Sequence, residues 1–169
     1  MLQAEQILIK ARHSGFYLWL LNVALDRMIP FNKPHGFRIV ELEEHRLKTS
    51  IPYKRRNFNH IRGLHACGLA TLSEFTTGFL LLSALGMKKY RIIMQRLEMN
   101  YHYQGKMAAT AEFTISKDWI EEKIVKPLQS NESVVVPCEI KIFDVQGNQL
   151  TTGLVYWQFK DWAKVKTKA

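Results

Sequence analysis

The stretch 64–86 constrains this chain most: it holds no Lys or Arg and a single acid, Glu74. Leu64, Leu69, Ala70, Leu72, Phe75, Phe79, Leu80, Leu81, Leu82 and Leu85 fall on every side of a helical cylinder. A helix with no polar face is buried on nearly all sides. Length alone would let this segment cross a bilayer. Glu74 near its middle would cost about 2.5–3.5 kcal/mol or more in lipid. His65 and the many Ser, Thr and Gly residues also argue for a core helix over a span. Ala66, Cys67, Gly68, Ala70, Ser73 and Gly78 make the helix slender. Each mid-helix glycine costs about 1 kcal/mol relative to alanine, so a sheet is expected to approach the helix backbone closely.

The flanking sequence supplies that sheet. Residues 37–43, with Val40 and Leu42 on one face, and 45–53 form an expected hairpin. Further strands are expected over 90–103, 107–116, 134–143 and 150–162. Gln104, Gly105 and Lys106 make a short turn, and Pro137 requires a bulge or an edge position. A short helix over 118–128 would start at Asp118 as N-cap. Residues 2–28 read as helix, divided at Gly15 and ended by Pro30 and Pro34. The architecture is therefore α+β. A long curved antiparallel sheet of about six strands wraps round a central apolar helix, preceded by an N-terminal helical segment. That is the hotdog fold. One domain is expected over 1–169: a helical extension (1–35), the core (36–162) and a basic tail (163–169) with Lys164, Lys166 and Lys168.

Charge and cysteines narrow the partners. Lys and Arg total 24 against 15 Asp and Glu, a net charge of +9, which favours an anionic partner. No helix-turn-helix, RNP or zinc pattern supports nucleic acid. Cys67 and Cys138 sit in no C-x-x-C or Cys/His spacing, so neither a disulfide framework nor a metal site is expected. Both read as small buried hydrophobes in a reducing, cytoplasmic setting. Residues 16–25 follow Lys10 and Arg12 but lack a small-x-small cleavage site, against a secretory signal. Tyr101, Tyr103, Trp157 and Phe159 read as core residues on alternating strands.

The run from Asn59 through His65, Ala66, Cys67 and Gly68 to Glu74 resembles the hotdog acyl-CoA thioesterases of the phenylacetyl-CoA thioesterase type. Those enzymes show an Asn, then His-Gly-Gly, then an acid further along the helix. Here Asn59 lies six positions before His65 and Glu74 nine after it. The chain is most similar to a hotdog family of unknown function with a Leu-rich helical extension, here Trp19-Leu20-Leu21. That family also has a loop like Pro52-Tyr53 followed by Arg56, Asn57 and Asn59. The resemblance implies an acyl-CoA thioester substrate and no cofactor beyond the coenzyme A of the substrate. It also implies a homodimer or dimer of dimers, with sites at the subunit interface. Glu74 would be base or nucleophile, Asn59 and His65 would orient thioester or water, and amides near Cys67 and Gly68 would hold the oxyanion. The chain departs from His-Gly-Gly at Ala66 and Cys67, whose Cβ atoms restrict approach to that backbone.

The residues carry an independent argument. A lone carboxylate in an apolar helix is costly unless it is paired, neutral or at a water-lined site, and such groups mark functional sites. The start of a helix offers free N–H groups and a positive dipole end. Lys54, Arg55, Arg56 and Arg62 suit the phosphates of coenzyme A, or form a solvated loop. Glu74 has a second reading as a buried acid bonded across a dimer interface, or to Thr71 or Thr77. His65 also reads as a helix-start residue and Asn59 as a loop cap. The alternative function is a non-catalytic acyl-CoA or lipid-binding hotdog protein.

Overall fold

The structure is a computed structural model describing residues 2–86 and 88–165; Lys166 and Lys168 of the basic tail lie outside these. Helices α1 (Leu2–Ala11) and α2 (Gly15–Met28) precede strands β1 (Arg38–Leu42) and β2 (Arg46–Ile51). The central helix α3 (Ala66–Leu85) follows, then β3 (Tyr90–Tyr101) and β4 (Ala109–Thr114). After a short helical stretch, β5 (Ser133–Asp144) and β6 (Gln149–Asp161) complete the sheet. All pairings are antiparallel, in the order β1-β2-β4-β5-β6-β3. This is the expected hotdog fold.

Helix α3 packs against β2, β3, β4, β5 and β6. Alternate residues of the strands face it: Leu47, Thr49 and Ile51; Ala109, Ala111 and Phe113; Val136, Cys138, Ile140 and Ile142; Val155, Trp157 and Phe159. By length and composition α3 would qualify as a membrane span, yet Leu72, Leu80 and Leu81 are wholly buried in the core. The slender face does what its glycines require. A Cβ on Gly78 would lie 2.5 Å from Cζ2 of Trp157, and one on Gly68 would lie 3.1 Å from Cδ1 of Ile51. Hydroxyls bind the two layers: Thr49 Oγ1 and Thr76 Oγ1 are 2.6 Å apart.

Several local expectations are corrected. A bulge between Ile39 and Glu41 turns Ile39 and Leu42 inward and leaves Val40 43% exposed. A second bulge, between Met94 and Arg96, accompanies Ile93 and Met94 facing outward, since one extra residue reverses strand alternation. The helical stretch α4 (Lys117–Ile120), a π-turn (Glu121–Val125) and α5 (Lys126–Ser130) is capped by Ser116, not Asp118. The Ser116 hydroxyl accepts from the Trp119 amide at 3.0 Å. Strands β3 and β4 form no hairpin, because β3 pairs with β6 at the far edge. Tyr101 and Tyr103 are exposed, whereas Trp157 and Phe159 are core. Cys138 is buried but Cys67 is exposed. Pro137 sits beyond Lys141, where the β4–β5 ladder stops, so its missing N–H faces an edge.

Candidate active site

His65 caps α3 with its own ring. Its Nδ1 accepts from the Cys67 amide at 3.1 Å, so that nitrogen carries no proton. The Gly68 amide donates to the His65 carbonyl at 2.9 Å. The Cys67 and Gly68 amides, expected as free oxyanion donors, are thus engaged inside the first turn.

The loop before α3 is shaped by two asparagines. Asn59 Oδ1 accepts from the Ile61 and Gly63 amides at 3.1 and 2.9 Å, an Asx turn that competes with regular structure. This turn holds Arg62 at φ 60°, where the Tyr53 hydroxyl donates to its carbonyl at 2.6 Å. Asn57, never singled out as a site residue from sequence, is 2% exposed and fully satisfied. Its Nδ2 donates to the His35 and Pro52 carbonyls at 2.9 and 2.8 Å. Its Oδ1 therefore accepts, and His35 Nδ1, 3.0 Å away, must be the donor. The Asn57 carbonyl accepts from the His65 amide at 2.8 Å. Asn57 thus joins the segment after α2 to the start of α3. Only its place in an Asn-containing loop hinted at this.

Three hollows divide the expected site residues. A cavity of about 260 Å³ at the start of α3 is lined by Phe31, His35, Arg56, His65, Cys67, Gly68 and Thr71, among others. Arg56 is tied there to the Pro34 carbonyl at 2.8 Å. A cavity of about 210 Å³ lies further along α3, lined by Ile29, Asn32, Glu74, Phe75, Gly78, Phe79, Leu82, Ile92 and Trp157. Arg55 and Arg62 flank an open groove with Phe58 and Asn59. Cys67, Thr71, Glu74 and Gly78 follow helical spacing, so one face of α3 links the first two cavities.

Glu74 stands apart electrostatically. Burial pushes its carboxyl pKa above the ordinary value, with no neighbouring charge offsetting it. Its carboxylate has no hydrogen bond or ion pair among the described residues. Neither expected threonine holds it: Thr71 Oγ1 donates to the Cys67 carbonyl at 2.8 Å, and Thr77 Oγ1 to the Ser73 carbonyl at 2.9 Å. Among the described residues, no group of three His, Cys, Asp or Glu side chains could hold a metal ion.

A family model described as a domain of unknown function, DUF4442, matches residues 18–163. Comparison with curated proteins finds no match. Among solved structures, a Pseudomonas aeruginosa protein described as a probable thioesterase superposes with a TM-score of 0.77 at 20% identity, over 84% of this chain and 94% of that one. A Haemophilus influenzae thioesterase gives 0.66 at 14% identity, over 85% and 90% of the two chains. A glutamine-to-alanine variant of a Staphylococcus aureus thioesterase gives 0.62 at 15% identity, over 78% and 98%. At these identities the likeness establishes the fold.

Proposed function

The chain belongs to the DUF4442 family within the hotdog thioesterase-like superfamily, and from that premise we propose that it binds acyl-CoA thioesters and hydrolyses them with Glu74 as general base. The observation that carries this reading is Glu74 itself, an unpartnered carboxyl in an apolar cavity with its pKa raised by burial. A raised carboxylate pKa suits proton transfer near neutrality. Glu74 takes a proton from water as the water oxygen adds to the thioester carbonyl carbon. The carbon–sulfur bond then breaks, and the departing thiolate takes the proton from Glu74. The products are a carboxylic acid and free coenzyme A.

Two further features support the reading. The structural relatives above carry the name thioesterase. The Staphylococcus aureus protein has also been solved with a glutamate replaced, fifteen positions after the replaced glutamine. Asn59 and Glu74 are likewise fifteen apart. They occupy separate hollows of one chain, and a second copy would complete the site between them. The partner edge would be β3, which among the described residues pairs only with β6 and exposes Ile93 and Met94. An open edge of this kind is a template for pairing. Arg55 and Arg62, flanking the groove beside Asn59, would meet the phosphates of coenzyme A.

The test is an assay of released thiol with short, medium and aromatic acyl-CoAs, comparing wild type with Glu74→Ala. Turnover lost in the variant supports the reading, and equal rates in both overturn it. Light scattering should give twice the 19.7 kDa chain mass. The engaged Cys67 and Gly68 amides favour a second reading, binding without hydrolysis. Thermal stabilisation by acyl-CoA without thiol release would select it.

A further inference from the structure

We infer that Asn32 is a catalytic residue of the Glu74 cavity, its side-chain amide donating to the thioester carbonyl oxygen. The inference rests on the thioesterase reading above and supplies the donor that reading lacks. Asn32 is only 7% exposed. Its backbone is held in a tight turn: its amide donates to the Ile29 carbonyl at 3.0 Å, and its carbonyl accepts from His35 and Gly36 at 3.2 and 3.1 Å. Its side chain has no hydrogen bond among the described residues, and its polar atoms are not among those sealed from all contact. Asn32 lines the same cavity as Glu74, and it is there that the proposal places its amide.

A polar side chain this largely covered and without a partner among the described residues calls for a reason. Here the cavity offers no internal one. The remaining lining residues are apolar or glycine, apart from the Trp157 indole N–H. That N–H is already given to Thr77 Oγ1 at 3.0 Å. The cavity thus presents one unpartnered acid and one unpartnered amide donor within an apolar wall. The reacting end of a thioester has the complementary character: neutral, apolar around one polar oxygen, with an electrophilic carbon for water. With the Cys67 and Gly68 amides engaged in the helix cap, the negative charge forming on that oxygen meets Asn32 Nδ2–H. When the carbon–sulfur bond breaks, the charge leaves the oxygen and the donor is released.

The experiment compares Asn32→Ala, Glu74→Gln and wild type. Removing one preorganised oxyanion donor typically lowers kcat about 10²–10³-fold, and Asn32→Ala should do this while raising KM by no more than about the tenfold of one ground-state hydrogen bond. The side chain holds no internal hydrogen bond, so the thermal midpoint should not fall. Binding of two inert probes supplies a readout besides activity. A coenzyme A ketone, with methylene in place of the thioester sulfur, should lose about tenfold in affinity in Asn32→Ala, as for one hydrogen bond. A coenzyme A thioether without the carbonyl should bind both proteins equally. If Glu74→Gln is inactive but Asn32→Ala keeps kcat within about threefold, or both probes weaken together, the role of Asn32 is overturned while the thioesterase reading stands. If Glu74→Gln matches wild type, or no acyl-CoA is turned over, the thioesterase reading fails and Asn32 with it.

Discussion

The indole N–H of Trp157 donates to Oγ1 of Thr77 at 3.0 Å across the helix–sheet interface, and that Oγ1 in turn donates to the Ser73 carbonyl at 2.9 Å. Thr77 is wholly buried. Thr77→Val keeps the shape but orphans the indole N–H, which should cost about 1–3 kcal/mol. Denaturant unfolding would measure it. Thr77→Ser, retaining the hydroxyl, should lose less, and a Val variant as stable as wild type would refute the claim.

At the next residue of the same contact, Gly78→Ala should also destabilise. Its new Cβ would meet Trp157 Cζ2 and Cη2 at 2.5 and 2.6 Å. The indole is buried and bonded, so it cannot swing away. Overpacking costs about 1–3 kcal/mol, against a helix-propensity gain of about 1 kcal/mol. Gly15→Ala is the control. Nothing lies within 4 Å of its added Cβ, so the thermal midpoint should hold or rise.

Glu74 should leave a pH signature in stability. Burial raises its folded pKa above the unfolded value near 4.5. The native state therefore binds more protons in the window just above 4.5, and this group's contribution to stability falls as pH rises through the folded pKa. Above that window the ionised carboxyl carries its desolvation cost. Glu74→Gln should be more stable than wild type at pH 8, with the gap narrowing on acidification. Parallel stability curves for the two proteins would contradict this.

The two thiols should react on different timescales. Cys67 is exposed, whereas burial pushes the Cys138 thiol up to about 12, and the thiolate is the reactive form. A thiol-exchange reagent should modify one cysteine in the native protein and the second only on unfolding. Cys67→Ser should abolish the first phase. Fast modification of both would show that Cys138 is accessible.

The architecture was legible because its signals are periodic. Thr49, Ile51, Ala111 and Ile142 alternate with polar residues, and the apolar run around Leu72 and Leu80 has no wet face. Local exceptions were not legible, because one bulge at Ile39 reverses facing without altering composition. At the candidate site, Glu74 was legible as the one charge in an apolar helix. Asn32 and Asn57 were not. An asparagine in a loop looks the same in sequence whether its amide is fully satisfied, like Asn57, or left open, like Asn32. The engagement of the Cys67 amide depends on a ring rotamer of His65, which spacing does not encode.

Strand β6 lies between β5 and β3, in the interior of the sheet, although it is the last strand described. During synthesis on the ribosome, α3 emerges more than sixty residues before the strand bearing Trp157. Until then β3 has no neighbour, and the most apolar helix of the chain lacks part of its cover. Nascent chains with such exposed surface are prone to aggregate. A chaperone would therefore be needed most between the completion of α3 and the arrival of Phe159, and ribosome-bound chains stalled in that interval should be its preferred clients.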